Sequence, residues 1–199
     1  MNVIGNNCTS AQLYKISNKE FDNPFMWVII TSGEFLKLIK NFHKINFRNR
    51  KLIKTRIPTV KHREVAAILI DDLVTVTFPH HVKDEKYNKP TVCKSDFTGW
   101  DVRYKYIGGY LLEKYDKRIE RMLKNNEPPT FLLDTSLSND NDSYEFEIVS
   151  GNFKKIMCIF NGNYTPKTDI ESIVTGKEGT ASRAQKIISK YGKQLGFTQ

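Results

Sequence analysis

Three polar residues able to support nucleophilic chemistry fall at the ends of apolar segments: Cys8, one of the tandem pair His80 and His81, and Asp134. A thiol in the first turn of a helix faces unpaired backbone N–H groups and the positive end of the helix dipole, which favours thiolate. An imidazole within reach takes the thiol proton and returns it, and a carboxylate behind the imidazole fixes its tautomer. In a parallel α/β sheet, residues that follow strands converge at the carboxyl edge, where ligands bind. The order of the residues therefore predicts a site with Cys8 as nucleophile, His80 or His81 as base and Asp134 as its orienting partner. Asn6 and Asn7, just before the cysteine, are candidate amide donors to a developing oxyanion. His81, Arg118 and Arg121 are candidates for substrate contact, since a guanidinium fork matches carboxylate and phosphate. Plainer readings stand beside these. A lone cysteine commonly packs as a small apolar residue, an aspartate at a strand end caps a turn, and helix-surface arginines commonly pair with a neighbour such as Glu120.

The elements that would carry these residues alternate between strand and helix. Residues 2–5 form a short apolar start, followed by Ala11, Leu13, Tyr14 and Ile16 at helical spacing, with Asn6, Asn7, Thr9 and Ser10 as available caps. Phe25 to Ile30 is a continuous apolar run and predicts a buried strand. Thr31-Ser-Gly-Glu34 has capping-box spacing ahead of Phe35, Leu38, Ile39 and Phe42. Residues 51–57 and 63–78 predict strands, with a turn at Asp71 and Asp72 and a β-branched alternation after it. Residues 84–104 predict a long loop, and Tyr106 to Leu123 form a strong helical stripe that closes before Pro128 and Pro129. Thr130 to Asp134 and Lys155 to Phe160 predict strands, residues 138–143 a polar loop, and residues 180–195 a final amphipathic helix. Tyr144 to Val149 fits either state. The whole predicts one α/β domain over residues 1–199, with a mixed or partly parallel sheet flanked by helices.

The chain has 199 residues, 39% of them hydrophobic, and a formal net charge of +9. That content is enough for a core and does not favour disorder. The excess of positive charge favours anionic partners. The densest basic run, Phe47 to Arg56, is interrupted by Leu52 and Ile53 and carries no nucleic-acid-binding motif, so nucleic acid is not expected as a partner. Cys8, Cys93 and Cys158 are too scattered for a disulfide framework or a zinc motif, so no metal is expected. The longest apolar runs are too short to span a bilayer, and residues 1–8 lack the basic and apolar stretches of a signal peptide, so none is expected. A reduced, cytoplasmic protein is the expectation. Gly176-Lys-Glu-Gly179 is too short for a phosphate loop.

Several of these segments also carry a resemblance. Ile4-Gly-Asn-Asn-Cys8, Asn23-Pro-Phe25, Asp72-Leu-Val-Thr-Val-Thr-Phe-Pro-His80 and Lys114-Tyr-Asp-Lys-Arg-Ile-Glu-Arg121 together resemble a bacterial exopolysaccharide or capsule biosynthesis domain family of unknown function. Pro24-Phe-Met-Trp27 and the paired arginines are similar to elements of a family of papain-like cysteine peptidases. The Gly-Asn-Cys start is also similar to that of capsule proteins that act as acyltransferases using coenzyme A. The resemblance covers about residues 2–135, and where the first family commonly carries Trp-Gly-Gly this chain has Thr9, Ser10 and Ala11. It implies a papain-like order of catalytic elements, with the family histidine on His80 and His81 at an aromatic position. It further implies an enzyme of surface-polysaccharide assembly that transfers an acyl group from coenzyme A to a sugar hydroxyl. The alternatives are a cysteine hydrolase acting on an amide or ester with the same residues, and a non-catalytic accessory protein that binds a glycan or nucleotide sugar.

Overall fold

The structure, a computed structural model, describes residues 2–56, 64–78, 97–125, 127–149, 153–160, 162 and 164–197. Strand β1 (Val3–Gly5) leads directly into helix α1 (Cys8–Ile16), and α2 (Ser32–Asn41) follows. Strands β2 (Arg50–Arg56), β3 (Glu64–Ile70) and β4 (Val74–Thr77) come next, then the long helix α3 (Phe97–Asn125). Strand β5 (Thr130–Asp134), a 3₁₀ turn at Thr135–Leu137, helix α4 (Asp140–Ile148), strands β6 (Lys154–Phe160) and β7 (Glu171–Thr175) and helix α5 (Thr180–Tyr191) complete the order.

The protein is α/β. Strands β1, β5, β6 and β7 form a parallel sheet in the spatial order β1-β5-β6-β7. Strands β2, β3 and β4 form a smaller antiparallel sheet, whose β3–β4 turn places Asp71 and Asp72 both at φ 52°, a conformation that short polar side chains tolerate. Both faces of the parallel sheet are buried, which explains why its inner strands read as nearly continuous apolar runs. Side-chain alternation then sorts the residues. Ile4, Phe131, Leu133, Met157 and Ile159 enter a cluster with α2, α3, α4 and the antiparallel sheet. Val3, Leu132, Ile156 and Cys158 face the other way, onto α1 and α5.

The apolar run Phe25 to Ile30 is buried as expected but is not a strand. Pro24 restricts its start, and Trp27 takes a positive φ of 61°, which breaks an extended path. Only two of its residues make ladder contacts. Ile29 pairs with Thr77 of β4, donating its N–H at 2.9 Å and accepting that of Thr77 at 3.0 Å. Ile30 donates to the carbonyl of Asn6, at the end of β1, at 2.8 Å. The segment thereby joins the two sheets.

Two other expectations change, and one strand was not expected. Residues 97–104, expected to be loop, belong to α3, while residues 84–96 lie outside the described residues. The polar stretch 138–143 opens α4: the Asn139 side chain accepts from Asp142 N at 2.8 Å and the Asp142 carboxylate accepts from Asn139 N at 3.3 Å, a reciprocal cap. Strand β7 had no expectation at all. Among the described residues no helix is long and apolar enough to cross a membrane.

Candidate functional site

All four strands of the parallel sheet end at one edge, which carries Asn6, Asn7, Cys8 and Asp134 of the expected site. Asn6 is the hub of this edge. Its side-chain Nδ2 donates to the Asp134 carbonyl at 3.1 Å, and its Oδ1 accepts the Asp134 N–H at 2.8 Å. The amide therefore continues the β1–β5 ladder by one more rung. With its own carbonyl bound to Ile30, Asn6 ties β1, β5 and the Ile30 segment together at this edge. One Nδ2 hydrogen of the fully buried Asn6 is used in this way. Asn7 begins α1: its Oδ1 accepts the Thr9 N–H at 2.9 Å, and its Nδ2 points to Ser136 Oγ at 3.5 Å. That last contact is long, so the Nδ2 donors retain capacity.

Asp134 is fully buried and meets the edge from β5. One carboxylate oxygen accepts Thr9 Oγ1 at 2.8 Å, and the other accepts Ser136 N at 3.0 Å. The Arg183 guanidinium, from the first turn of α5, completes the group with Nε 2.9 Å from Asp134 Oδ2. The Nε–H is not aimed along that line, so the contact is charge against charge rather than a straight hydrogen bond. Arg183 also donates from Nη1 to the Glu178 carbonyl at 2.8 Å, and its guanidinium lies 5.6 Å from the centre of the Phe160 ring. Among the described residues, the cation beside Asp134 is thus an arginine of α5. Glu178 serves the same helix start: its carboxylate accepts from Lys186 at 2.6 Å and from Gly176 N at 3.2 Å, and Lys186 holds its carboxyl below the usual range.

Cys8 is where the structure departs furthest from expectation. It is the first residue of α1, as the sequence suggested, but it is only 6% exposed, and its Sγ turns inward to the Val28 carbonyl at 3.8 Å. Burial pushes the thiol up from 9.0 to about 12. The helix dipole favours thiolate by at most about 2 kcal/mol, and here desolvation outweighs it. Burial thus works against the acidified thiol that the sequence predicts. Cys158, in the middle of β6, behaves alike: buried, contacting Thr175 Oγ1 at 3.8 Å, and pushed up to about 12, again chiefly by burial. His80, His81 and Cys93 lie outside the described residues.

Arg118 and Arg121 are not brought to this edge. They belong to the last turns of α3, which ends where β5 begins, and they bind the chain just after α1. Arg121 donates to the Phe21 carbonyl at 2.8 Å and pairs with Glu20 at 2.6 Å, while the Arg118 guanidinium lies 5.1 Å from the Phe21 ring centre. Asn23, two residues on, donates to the Val3 carbonyl at 3.1 Å at the start of β1. Both arginines therefore serve the amino edge of the parallel sheet, opposite Asp134.

Sequence reasoning missed Thr9, Arg183, Glu178, Ser136 and the hydroxyl pair Ser32–Ser138, whose oxygens are 2.6 Å apart at the start of α2. For Arg183 a signal existed. It sits beside Ala184, Ile187, Ile188 and Tyr191 on the buried stripe of α5, and an arginine in an apolar stripe implies a buried partner. Among the described residues no group of three or more His, Cys, Asp or Glu is arranged to hold a metal ion. No known family model matches this sequence, and no curated protein matches it either.

Proposed function

We propose that the chain is a binding module of surface-glycan assembly, taking a nucleotide sugar or another anionic saccharide at the carboxyl edge of its parallel sheet without covalent catalysis by Cys8. The observation that carries this reading is the buried, inward-facing Cys8 thiol, set behind an edge furnished with amide and hydroxyl groups from Asn7, Ser32, Ser136 and Ser138. Such groups donate to and accept from sugar hydroxyls without ionising. The net charge of +9 attracts the anionic part of such a ligand, and helix N-termini at a carboxyl edge are favourable places for phosphate.

Acyl transfer and hydrolysis both need Cys8 to ionise and to face a substrate. The burial and inward turn of Cys8 oppose both requirements. Two measurements on the full chain test the proposal. At 100 times its Kd, a nucleotide diphosphate sugar stabilises the fold by about 2.7 kcal/mol, read as a rise in Tm, and Asn7→Ala weakens that response. Iodoacetamide leaves Cys8 unlabelled at neutral pH until the protein unfolds. Rapid labelling of folded Cys8, or a Tm rise with coenzyme A and none with nucleotide sugars, overturns the proposal in favour of the enzyme readings.

A further inference from the structure

We draw no further inference here: the strongest candidate, the N-terminus of α5 with the buried Arg183 guanidinium beside it, belongs to the carboxyl-edge site already described, and its charges are met by Asp134 and Glu178 of the same chain.

Discussion

The two ends of the parallel sheet are each held by an arginine–carboxylate pair, and the closer pair is the weaker one. At the amino edge, Arg121 and Glu20 approach to 2.6 Å, with side chains 41% and 75% exposed. At the carboxyl edge, Arg183 and Asp134 stand 2.9 Å apart, with side chains 8% and 0% exposed. Water screens the first pair and offers each partner an alternative if the other is lost, so such pairs contribute about 0–1 kcal/mol. The second pair has no such alternative. Its formation carries a desolvation cost, and its value appears mainly when one partner is removed. Separation alone does not rank these contacts; the surrounding medium does.

The sharpest test removes one half of the buried pair. Asp134→Ala or Arg183→Met alone leaves an uncompensated charge and is expected to cost about 3–5 kcal/mol in urea or thermal unfolding. The double variant Asp134→Leu with Arg183→Met is expected to recover much of that loss. Single variants that cost less than 1 kcal/mol would show that the two edges are energetically alike. Asn6→Ala comes next. It strips the Asp134 backbone N–H and carbonyl of their partners, and a buried unsatisfied polar group costs about 1–3 kcal/mol. An unchanged urea midpoint would mean that water replaces the amide.

Protons separate the edges in a third way. In the unfolded chain the Cys8 thiol titrates near 9.0, whereas in the folded protein burial holds it at about 12. Between these values the unfolded state binds fewer protons, so stability falls as pH rises. The contribution is fully present below pH 9 and is lost by about pH 12. Cys8→Ala should show a shallower decline over that window, the difference approaching about 1.4 kcal/mol per pH unit. Identical slopes would place the thiol in water. The smallest effect belongs to the amino edge. Arg121→Ala should cost about 0–1 kcal/mol, less at high salt than at low. A loss of several kcal/mol, independent of salt, would reverse the ranking.

What the sequence disclosed of this molecule follows from which forces act locally. Strands β1, β5 and β6 are legible because burial on both faces demands apolar residues in unbroken runs. Helices α2 and α5 are legible because one apolar stripe faces the core and the opposite face is charged. Helix α4 was hidden by its opening, since Asn139, Asp140 and Asp142 look like loop until the reciprocal cap between Asn139 and Asp142 is seen. Strand β7 lies at the sheet margin, where Glu171 and Ser172 are half-buried and Val174 is exposed, so no apolar pattern marks it. The run ending at Ile30 misled in the opposite sense: its burial is real, but its extended ladder is confined to Ile29 and Ile30.

The candidate site divides along the same line. That Cys8 opens a helix and Asp134 closes a strand is a local matter and could be read directly. The direction in which the thiol turns is not local, because its acceptor is the Val28 carbonyl on a separate segment. Likewise Asp134 meets its counter-ion only through the packing of α5 over the sheet, and no spacing in the sequence announces that encounter.

The short joint at Ile29 and Ile30 also bears on how the chain avoids sticking to itself. A strand at the margin of a sheet invites a foreign strand to add to it. Here Ile29 occupies the outer side of β4, and β1 is sealed by side chains. Val3 donates its N–H to the Tyr14 hydroxyl at 3.0 Å, and Asn23 covers the Val3 carbonyl. On β7 the Ser172 carbonyl is taken by Lys190 at 2.8 Å and by Tyr191 at 2.9 Å. Backbone groups at three sheet margins are thus taken by neighbours within the same molecule.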